Sequence, residues 1–266
     1  MPLFHTQFFA QTLSNTTSVL VYLPLSQNAH RKGMSLDAVY APKACRTLYL
    51  LHGLHGSETD WIRKTNAERY AEAAGIALVM PSVQHSFYCD MDCGLAYQQY
   101  MTEELPRLIR YAFPVSQKRE DTAIAGCSMG GYGAVKLALL QPEVYSHAFS
   151  FSGALDADAV CAHGDAAEQA FMRHVLGTKE ERRGGDNDLN ALAARCMQSG
   201  AALPQLYLSC GTEDRLCRRP CRSSQQGGRP EQRLPRARLH RLSRGGKKCS
   251  RGGQAAEKQN CPYRRA

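Results

Sequence analysis

The sequence lacks any apolar run long enough to cross a lipid bilayer. A spanning helix needs about 20 consecutive apolar residues, and no stretch of the 266-residue chain approaches that length. Residues 1–9 also lack the basic start and the long apolar core of a signal peptide. We therefore expect a cytoplasmic protein that has no membrane partner.

The sequence also has no group of residues spaced like a metal site. Its 11 cysteines do not pair at the intervals typical of zinc ligands, and a cytoplasmic chain seldom uses cysteines for disulfides. His52 and His55 lie close together, but no third ligand with suitable spacing is nearby. We expect both histidines to be structural, the cysteines to be buried residues or free thiols, and no metal to be bound.

Residues 215–266 are poor in apolar side chains. They include only five members of the set Leu, Ile, Val, Met, Phe, Tyr and Trp, which is too few to cover a sheet. They hold 16 of the 33 Lys and Arg residues but 2 of the 24 Asp and Glu residues, so the net charge of +9 arises wholly from them. The sequence therefore predicts a folded domain over 1–214 and a basic, low-complexity, disordered tail over 215–266.

The folded part alternates short apolar runs with helical patterns, which predicts an α/β fold. Continuous apolar runs bounded by Gly or Pro are typical of strands buried on both faces of a parallel sheet. Between the last two runs, we expect residues 155–200 to form a cap-like insert with helices of its own. The predicted strands are 18–24, 46–51, 76–81, 122–125, 146–153 and 204–210, and the predicted helices include 66–74 and 97–113, the latter kinked at Pro106.

The segment Gly126–Gly131 has the G-x-S-x-G pattern of a nucleophile elbow. It follows the apolar run 122–125 and leads into a helical pattern, so the order is strand, tight turn and helix. The close backbone approach in such a turn tolerates only glycine on either side of the serine. We predict that Ser128 is the nucleophile and that the N–H of Met129, at the start of the helix, is an oxyanion donor. The alternative is an ordinary glycine-rich turn.

A second turn supplies a candidate for the other oxyanion donor. His52, Gly53 and Leu54 come directly after the predicted strand 46–51. In acyl-transfer sites built on an elbow, the second donor comes from the loop after an earlier strand. We predict that the N–H of Leu54 is this donor, and that Gly53 lets the chain bend and lie against the substrate.

The carboxylate of the site is predicted at the end of the last strand. A serine nucleophile needs a histidine base, which in turn needs a carboxylate to orient it. This carboxylate follows the serine, after a later strand, and Asp214 stands there. Glu213 and Asp156, which also follow strands, are the alternatives.

The loop 82–94 follows another strand of the predicted sheet. Ligands bind outside the carboxyl ends of parallel strands, so this loop is a candidate wall of the substrate pocket. We predict that His85 and Tyr88 contact the substrate. The alternative is a surface loop packed by its own aromatic residues.

Four segments together resemble the esterase D branch of the α/β-hydrolases. They are Leu51–Gly56 with Trp61, Glu103–Pro106, Gly126–Ala134 and Cys210–Asp214. This branch includes tributyrin esterases and S-formylglutathione hydrolases, and it is related to feruloyl and acetylxylan esterases. The likeness covers residues 15–214.

The resemblance implies an α/β-hydrolase fold, with a mostly parallel central sheet and helices on both faces. It further implies a serine carboxylesterase that hydrolyses small-molecule, short-chain acyl esters without a cofactor. Ser128 would be the nucleophile, Asp214 the triad acid, and Leu54 and Met129 the oxyanion donors. Thioesterase activity of the S-formylglutathione hydrolase type is the alternative, and a homo-oligomer is left open.

The chain departs from this family after Asp214. Members continue with a helix, a last strand and a loop that presents the catalytic histidine, and this pattern is absent here. We therefore expect the C-terminal strand and helix to be missing. His240 is the one later histidine, with neither a glycine before it nor an aromatic residue after it. Without a base Ser128 stays protonated, which would leave a non-catalytic, hydrolase-like binding protein.

Two hypotheses explain the basic tail. A frameshift after Asp214 in a GC-rich gene would generate CGN codons, and hence an arginine-rich ending. A genuine basic appendage would instead bind a polyanion such as nucleic acid or an acidic membrane surface. Tyr263 is the one aromatic residue of the tail that could stack on a base, so we do not expect a nucleic-acid partner.

Overall fold

The computed structural model describes residues 2–25, 32–41, 43–211 and 214, and the backbone of 238–242. Several features predicted from the sequence lie outside the described residues. They are the competing acid Glu213, the tail segments 215–237 and 243–266, and the side chain of His240.

A mostly parallel sheet organises the fold. Its strands are β1 (Leu3–Ala10), β2 (Asn15–Tyr22), β3 (Arg46–Leu51), β4 (Ile76–Pro81), β5 (Thr122–Cys127), β6 (His147–Phe151), β7 (Gln205–Gly211) and β8 (Arg238–Leu242). In the described part of the chain their order across the sheet is β1-β2-β4-β3-β5-β6-β7-β8. β1 and β2 form an antiparallel hairpin and β2 pairs antiparallel with β4, whereas β4, β3 and β5 to β8 run parallel.

Helices cover both faces of this sheet, as predicted. They are α1 (Leu36–Val39), α2 (Asp60–Lys64), α3 (Ala67–Ala74), α4 (Tyr97–Gln99), α5 (Leu105–Ala112), α6 (Met129–Leu140), α7 (Ala157–Cys161), α8 (Ala166–Leu176), α9 (Lys179–Arg182) and α10 (Leu189–Gln198). α6 packs in the larger apolar core on one face, and Ala71 of α3 belongs to a smaller core on the other. No described helix is long and apolar enough to cross a membrane.

Two buried strands have the bounds predicted from the sequence. β3 and β4 occupy 46–51 and 76–81, because each is a continuous apolar run that ends at a turn or a proline. β1 is an additional strand that the sequence analysis did not predict. It lies at the edge of the sheet and most of its side chains are exposed, so no apolar run marks it.

The predicted helix over 97–113 is present and widens before its proline. Its first turn is α4, a π-helical turn follows over Tyr100–Glu104, and α5 begins at Leu105. Pro106 has no N–H to donate to the carbonyl four residues earlier, and its ring crowds that carbonyl. The wider turn accommodates the proline without breaking the helix.

The sequence predicts that the last strand of the fold is missing, whereas the backbone forms β8 at that edge. β8 pairs in parallel with β7 over five residue pairs, from Tyr207 with Arg238 to Gly211 with Leu242. β8 holds two leucines, Leu239 and Leu242, which are three residues apart. They do not alternate with polar residues as in a half-buried strand, so no periodic pattern marks this strand in the sequence.

The carboxyl ends of the parallel strands align at one edge of the sheet. Leu51 of β3 pairs with Gly126 of β5. Cys127 at the end of β5 pairs with Phe151 of β6, which pairs with Ser209 of β7. The residues that follow these strands therefore meet at one edge, where ligands bind in open α/β sheets.

Candidate active site

Ser128 occupies a strained turn between β5 and α6. Its backbone has φ +56° and ψ −117°, a left-handed conformation that costs a non-glycine residue about 1–3 kcal/mol. Its N–H donates to the Phe151 carbonyl (3.0 Å), and its own carbonyl accepts from Tyr132 (3.1 Å) and Ala154 (3.1 Å). The side chain is partly exposed and does not cap α6. The turn therefore presents a hydroxyl at the ligand-binding edge of the sheet.

The two glycines of the elbow are required by close packing. A Cβ on Gly126 would lie 2.1 Å from the Gly130 carbonyl oxygen, and a Cβ on Gly130 would lie 2.3 Å from the Leu51 carbonyl oxygen. Contacts under 3.0 Å essentially never occur for real Cβ atoms. The G-x-S-x-G pattern thus reflects how tightly α6 crosses β5 and the end of β3.

The predicted oxyanion turn lies against the elbow. A Cβ on Gly53 would be 3.3 Å from the Cys127 carbonyl oxygen and 3.6 Å from Ser128 Cβ. The Gly53 carbonyl accepts from the Gly56 N–H at 3.0 Å, which closes a tight turn around the half-buried Leu54. Met129 begins α6, so its N–H belongs to the first turn, where backbone donors have no partner within the helix.

His52 is fixed as a neutral, buried residue. Its Nε2 accepts from the Val83 N–H at 3.1 Å, so the proton lies on Nδ1, which donates to the Gly53 carbonyl at 2.8 Å. Burial lowers the pKa of the imidazole from its ordinary value of 6.5. In the described residues no cluster of three or more His, Cys, Asp or Glu side chains could hold a metal ion.

Asp214 lies near the elbow, three residues after the end of β7. Its N–H donates to the Gly211 carbonyl at 3.1 Å. The pKa of the Cys127 thiol is raised, first by burial and then by the negative charge of Asp214. Asp214 is thus close enough to Cys127, the residue before Ser128, for its charge to act on that thiol. The alternative acid Asp156 instead caps α7, accepting from the Ala159 N–H at 2.9 Å.

The two residues predicted to line the pocket differ in exposure. His85 is partly exposed, its Nε2 lies 3.1 Å from His55 Nδ1, and its ring meets Phe171 of α8 edge to face at 6.3 Å. Burial and the neighbouring His55 lower the pKa of His85. Tyr88 is fully buried and donates its O–H to the His52 carbonyl at 2.9 Å. The prediction that Tyr88 contacts substrate is therefore corrected, because its hydroxyl is used inside the protein.

Phe171 is an addition to the residues considered from the sequence, and His55, which the sequence analysis expected to be structural, also lies beside His85. Both surround His85, and Phe171 is 40% exposed although it is a large aromatic residue. Phe171 lies in α8, within the insert between β6 and β7, and is far from His85 in the sequence. Its proximity to His85 depends on tertiary packing, so no local pattern could have indicated it.

Comparison with known proteins identifies the family of the chain. Residues 11–233 match the family model described as "Putative esterase". An acetyl esterase of Caldicellulosiruptor saccharolyticus is 29% identical over 222 residues, which cover 81% of this chain and 82% of that protein. The mouse S-formylglutathione hydrolase is 28% identical over 163 residues, covering 51% of this chain and 57% of that enzyme.

Solved structures support the same assignment. The substrate-bound serine hydrolase FphF of Staphylococcus aureus, which binds fluorophosphonate, superposes with a TM-score of 0.72 at 29% identity and 84% coverage of both chains. An S-formylglutathione hydrolase of the same organism superposes with a TM-score of 0.69, at 29% identity and with 84% of this chain and 85% of that chain covered. The fold is thus an α/β-hydrolase fold. The chain belongs to the Putative esterase family and is, by family, a carboxylic ester hydrolase.

Proposed function

We propose that this protein hydrolyses short-chain acyl esters with Ser128 as the nucleophile. The observation that carries the proposal is the left-handed turn of Ser128 at the end of β5, packed against the turn at Gly53. A serine lifted by such an elbow, beside a second turn that can supply a backbone N–H, is the arrangement that acyl transfer uses. The likeness to an acetyl esterase supports a small acyl group.

In the proposed reaction Ser128 Oγ attacks the acyl carbonyl of the ester. The histidine base takes the hydroxyl proton, and the oxyanion that forms accepts hydrogen bonds from the N–H groups of Leu54 and Met129. Its collapse breaks the ester C–O bond and expels the alcohol, which receives that proton, and water then hydrolyses the acyl-enzyme to release the acid and Ser128. Asp214 is the proposed triad acid, which orients and stabilises the histidine base. His240 is the candidate base, because its backbone lies in β8, beside the strand that leads to Asp214.

The substrate pocket is proposed to lie over the turn at Gly53, with His85 as one wall. The ring of Phe171 from the insert and the imidazole of His55 complete the surroundings of His85. Because burial and His55 lower the pKa of His85, it is neutral near pH 7. A neutral, partly apolar wall favours an uncharged acyl group over a charged one.

Hydrolysis of p-nitrophenyl acetate, butyrate and octanoate by the purified 266-residue chain tests this proposal. We expect turnover that is greatest for the shorter acyl chains, is lost in Ser128→Ala and is strongly reduced in His240→Ala. Turnover that survives Ser128→Ala would refute the role of Ser128. No turnover above the Ser128→Ala background would instead favour a hydrolase-like protein that binds ligands without catalysis.

A thioesterase is the second candidate, favoured by the likeness to S-formylglutathione hydrolases at 29% identity over most of both chains. The same nucleophile and oxyanion turn would serve a thioester. Comparing kcat/KM for S-formylglutathione and for p-nitrophenyl acetate distinguishes the two candidates. We expect the oxygen ester to be preferred.

A further inference from the structure

The oxyanion turn is held from beneath by the loop that follows β4. The Val83 N–H donates to the ring of His52, and the Tyr88 hydroxyl donates to the His52 carbonyl oxygen at 2.9 Å. This carbonyl belongs to the peptide unit just before the one that carries the Leu54 N–H. The Tyr88 hydroxyl therefore restricts the direction in which the proposed oxyanion donor points.

Tyr88 is itself held in an unfavourable backbone conformation. Phe87 and Tyr88 have φ of +50° and +58°, and each such residue costs about 1–3 kcal/mol. The Tyr88 ring packs directly against α6 at Gly133, where a Cβ would collide with its Cδ2 atom. Such strain persists only where the surrounding contacts fix the chain.

Lys136 supplies those contacts from α6, the helix that begins at the nucleophile. It is fully buried, and its Nζ donates to the Tyr88 carbonyl (3.2 Å), to Cys89 Sγ (3.0 Å) and to Asn187 Oδ1 (2.7 Å). Among the described residues no carboxylate forms an ion pair with it. A buried ammonium is unfavourable unless its hydrogen bonds are satisfied, and here all three donors are used.

We propose that Tyr88 and Lys136 form a buried brace that sets the oxyanion turn in register with the nucleophile. Tyr88 is the positioning residue for the His52 peptide, and Lys136 holds Tyr88 and ties it to α6 and, through Asn187, to the insert. The brace rests on the proposed function, because it acts on the Leu54 N–H as an oxyanion donor. It explains a buried lysine on α6 that packing alone would not favour.

Tyr88→Phe tests the brace because it removes one hydroxyl and keeps the ring. Tyr145→Phe is the matched control, since Tyr145 is fully buried and its hydroxyl has no hydrogen-bond partner in the described part of the chain. The two readouts are steady-state hydrolysis of p-nitrophenyl acetate and amide hydrogen exchange of a peptide that spans residues 52–56.

We expect Tyr88→Phe to lower kcat about ten-fold and to change KM less than about two-fold, because the lost hydrogen bond orients a donor that acts on the transition state. Exchange at 52–56 should become about ten-fold faster, whereas Tyr145→Phe should change neither readout. Unchanged kcat and exchange in Tyr88→Phe would overturn the brace. So would exchange that accelerates equally at 52–56 and in helix α3, which packs in the smaller core on the other face of the sheet, because that pattern reports only a less stable fold.

Lys136→Met provides the second variant. The brace predicts faster amide exchange in Lys136→Met at both 86–90 and 52–56. If the variant folds, its kcat should also fall while its KM changes little. Faster exchange confined to 86–90 would remove Lys136 from the brace. If the wild-type chain shows no turnover, the proposed function fails, and hydrogen exchange in Tyr88→Phe still decides whether the brace holds the turn.

Discussion

Replacing Ser128 by glycine should stabilise the fold while it abolishes catalysis. Ser128 has φ +56° and ψ −117°, a conformation that glycine adopts without steric cost. Relief of about 1–3 kcal/mol of strain is opposed by the extra entropy of glycine in the unfolded chain, about 0.4–1 kcal/mol. We therefore expect Ser128→Gly to raise the free energy of unfolding by about 1 kcal/mol.

Ser128→Ala is the matched control for this effect. It removes the same hydroxyl but keeps the Cβ atom, and therefore the strain. Urea unfolding followed by circular dichroism, with the slope checked for two-state behaviour, compares the two variants directly. A Ser128→Gly variant that is no more stable than Ser128→Ala would refute the argument that the elbow stores strain.

Three further predictions follow from close packing and buried polar groups. Gly130→Ala should lower the free energy of unfolding, measured in urea, by at least about 2 kcal/mol. The reason is that its Cβ would meet the Leu51 carbonyl oxygen at 2.3 Å. Burial lowers the pKa of His52 below its ordinary value of 6.5, so the contribution of this residue to stability should be complete above pH 6.5. In urea titrations it should be lost as the pH falls from 6.5 through the folded-state pKa, because the protonated ring no longer accepts from Val83. Glu104→Ala should cost about 2 kcal/mol by urea unfolding, because this carboxylate accepts three hydrogen bonds from the β1–β2 turn.

Each of these predictions has an internal check. Gly211→Ala, whose Cβ would meet Asp214 Cβ at an ordinary 3.7 Å, should cost less than Gly130→Ala, and equal costs would contradict the packing argument. His52→Gln should remove this loss of stability at acid pH. If the loss is unchanged in the variant, another group causes it. Glu103 is an exposed neighbour that forms an i,i+4 ion pair, so Glu103→Ala should cost less than about 0.5 kcal/mol of stability. If Glu103→Ala and Glu104→Ala cost the same, the hydrogen bonds to the β1–β2 turn do not explain the effect of Glu104.

Patterns that are local in sequence predicted the framework of the site. β3 and β4 are buried on both faces, so their apolar runs fix their bounds, and the elbow is encoded in six consecutive residues. β1 could not be found this way, because an exposed edge strand needs no apolar run. The π-helical turn before Pro106 follows from a known steric conflict, although the sequence does not say whether the helix kinks or widens.

Features that depend on tertiary packing were beyond the sequence. Tyr88 stands in a loop after a parallel strand, where exposure was expected, yet its ring packs on Gly133 of α6 and its hydroxyl meets a backbone carbonyl. Lys136 occupies one position of an apolar helical pattern, and its burial became visible only with Cys89 and Asn187 placed beside it.

The account's central claim is that Ser128 is an activated nucleophile, and covalent labelling tests it most directly. The native 266-residue chain would be treated with a fluorophosphonate probe, digested and mapped by mass spectrometry, beside Ser128→Ala and urea-unfolded protein. We predict a single adduct on Ser128 that is absent from both controls. An unlabelled native chain, or an adduct on another residue, would contradict the claim.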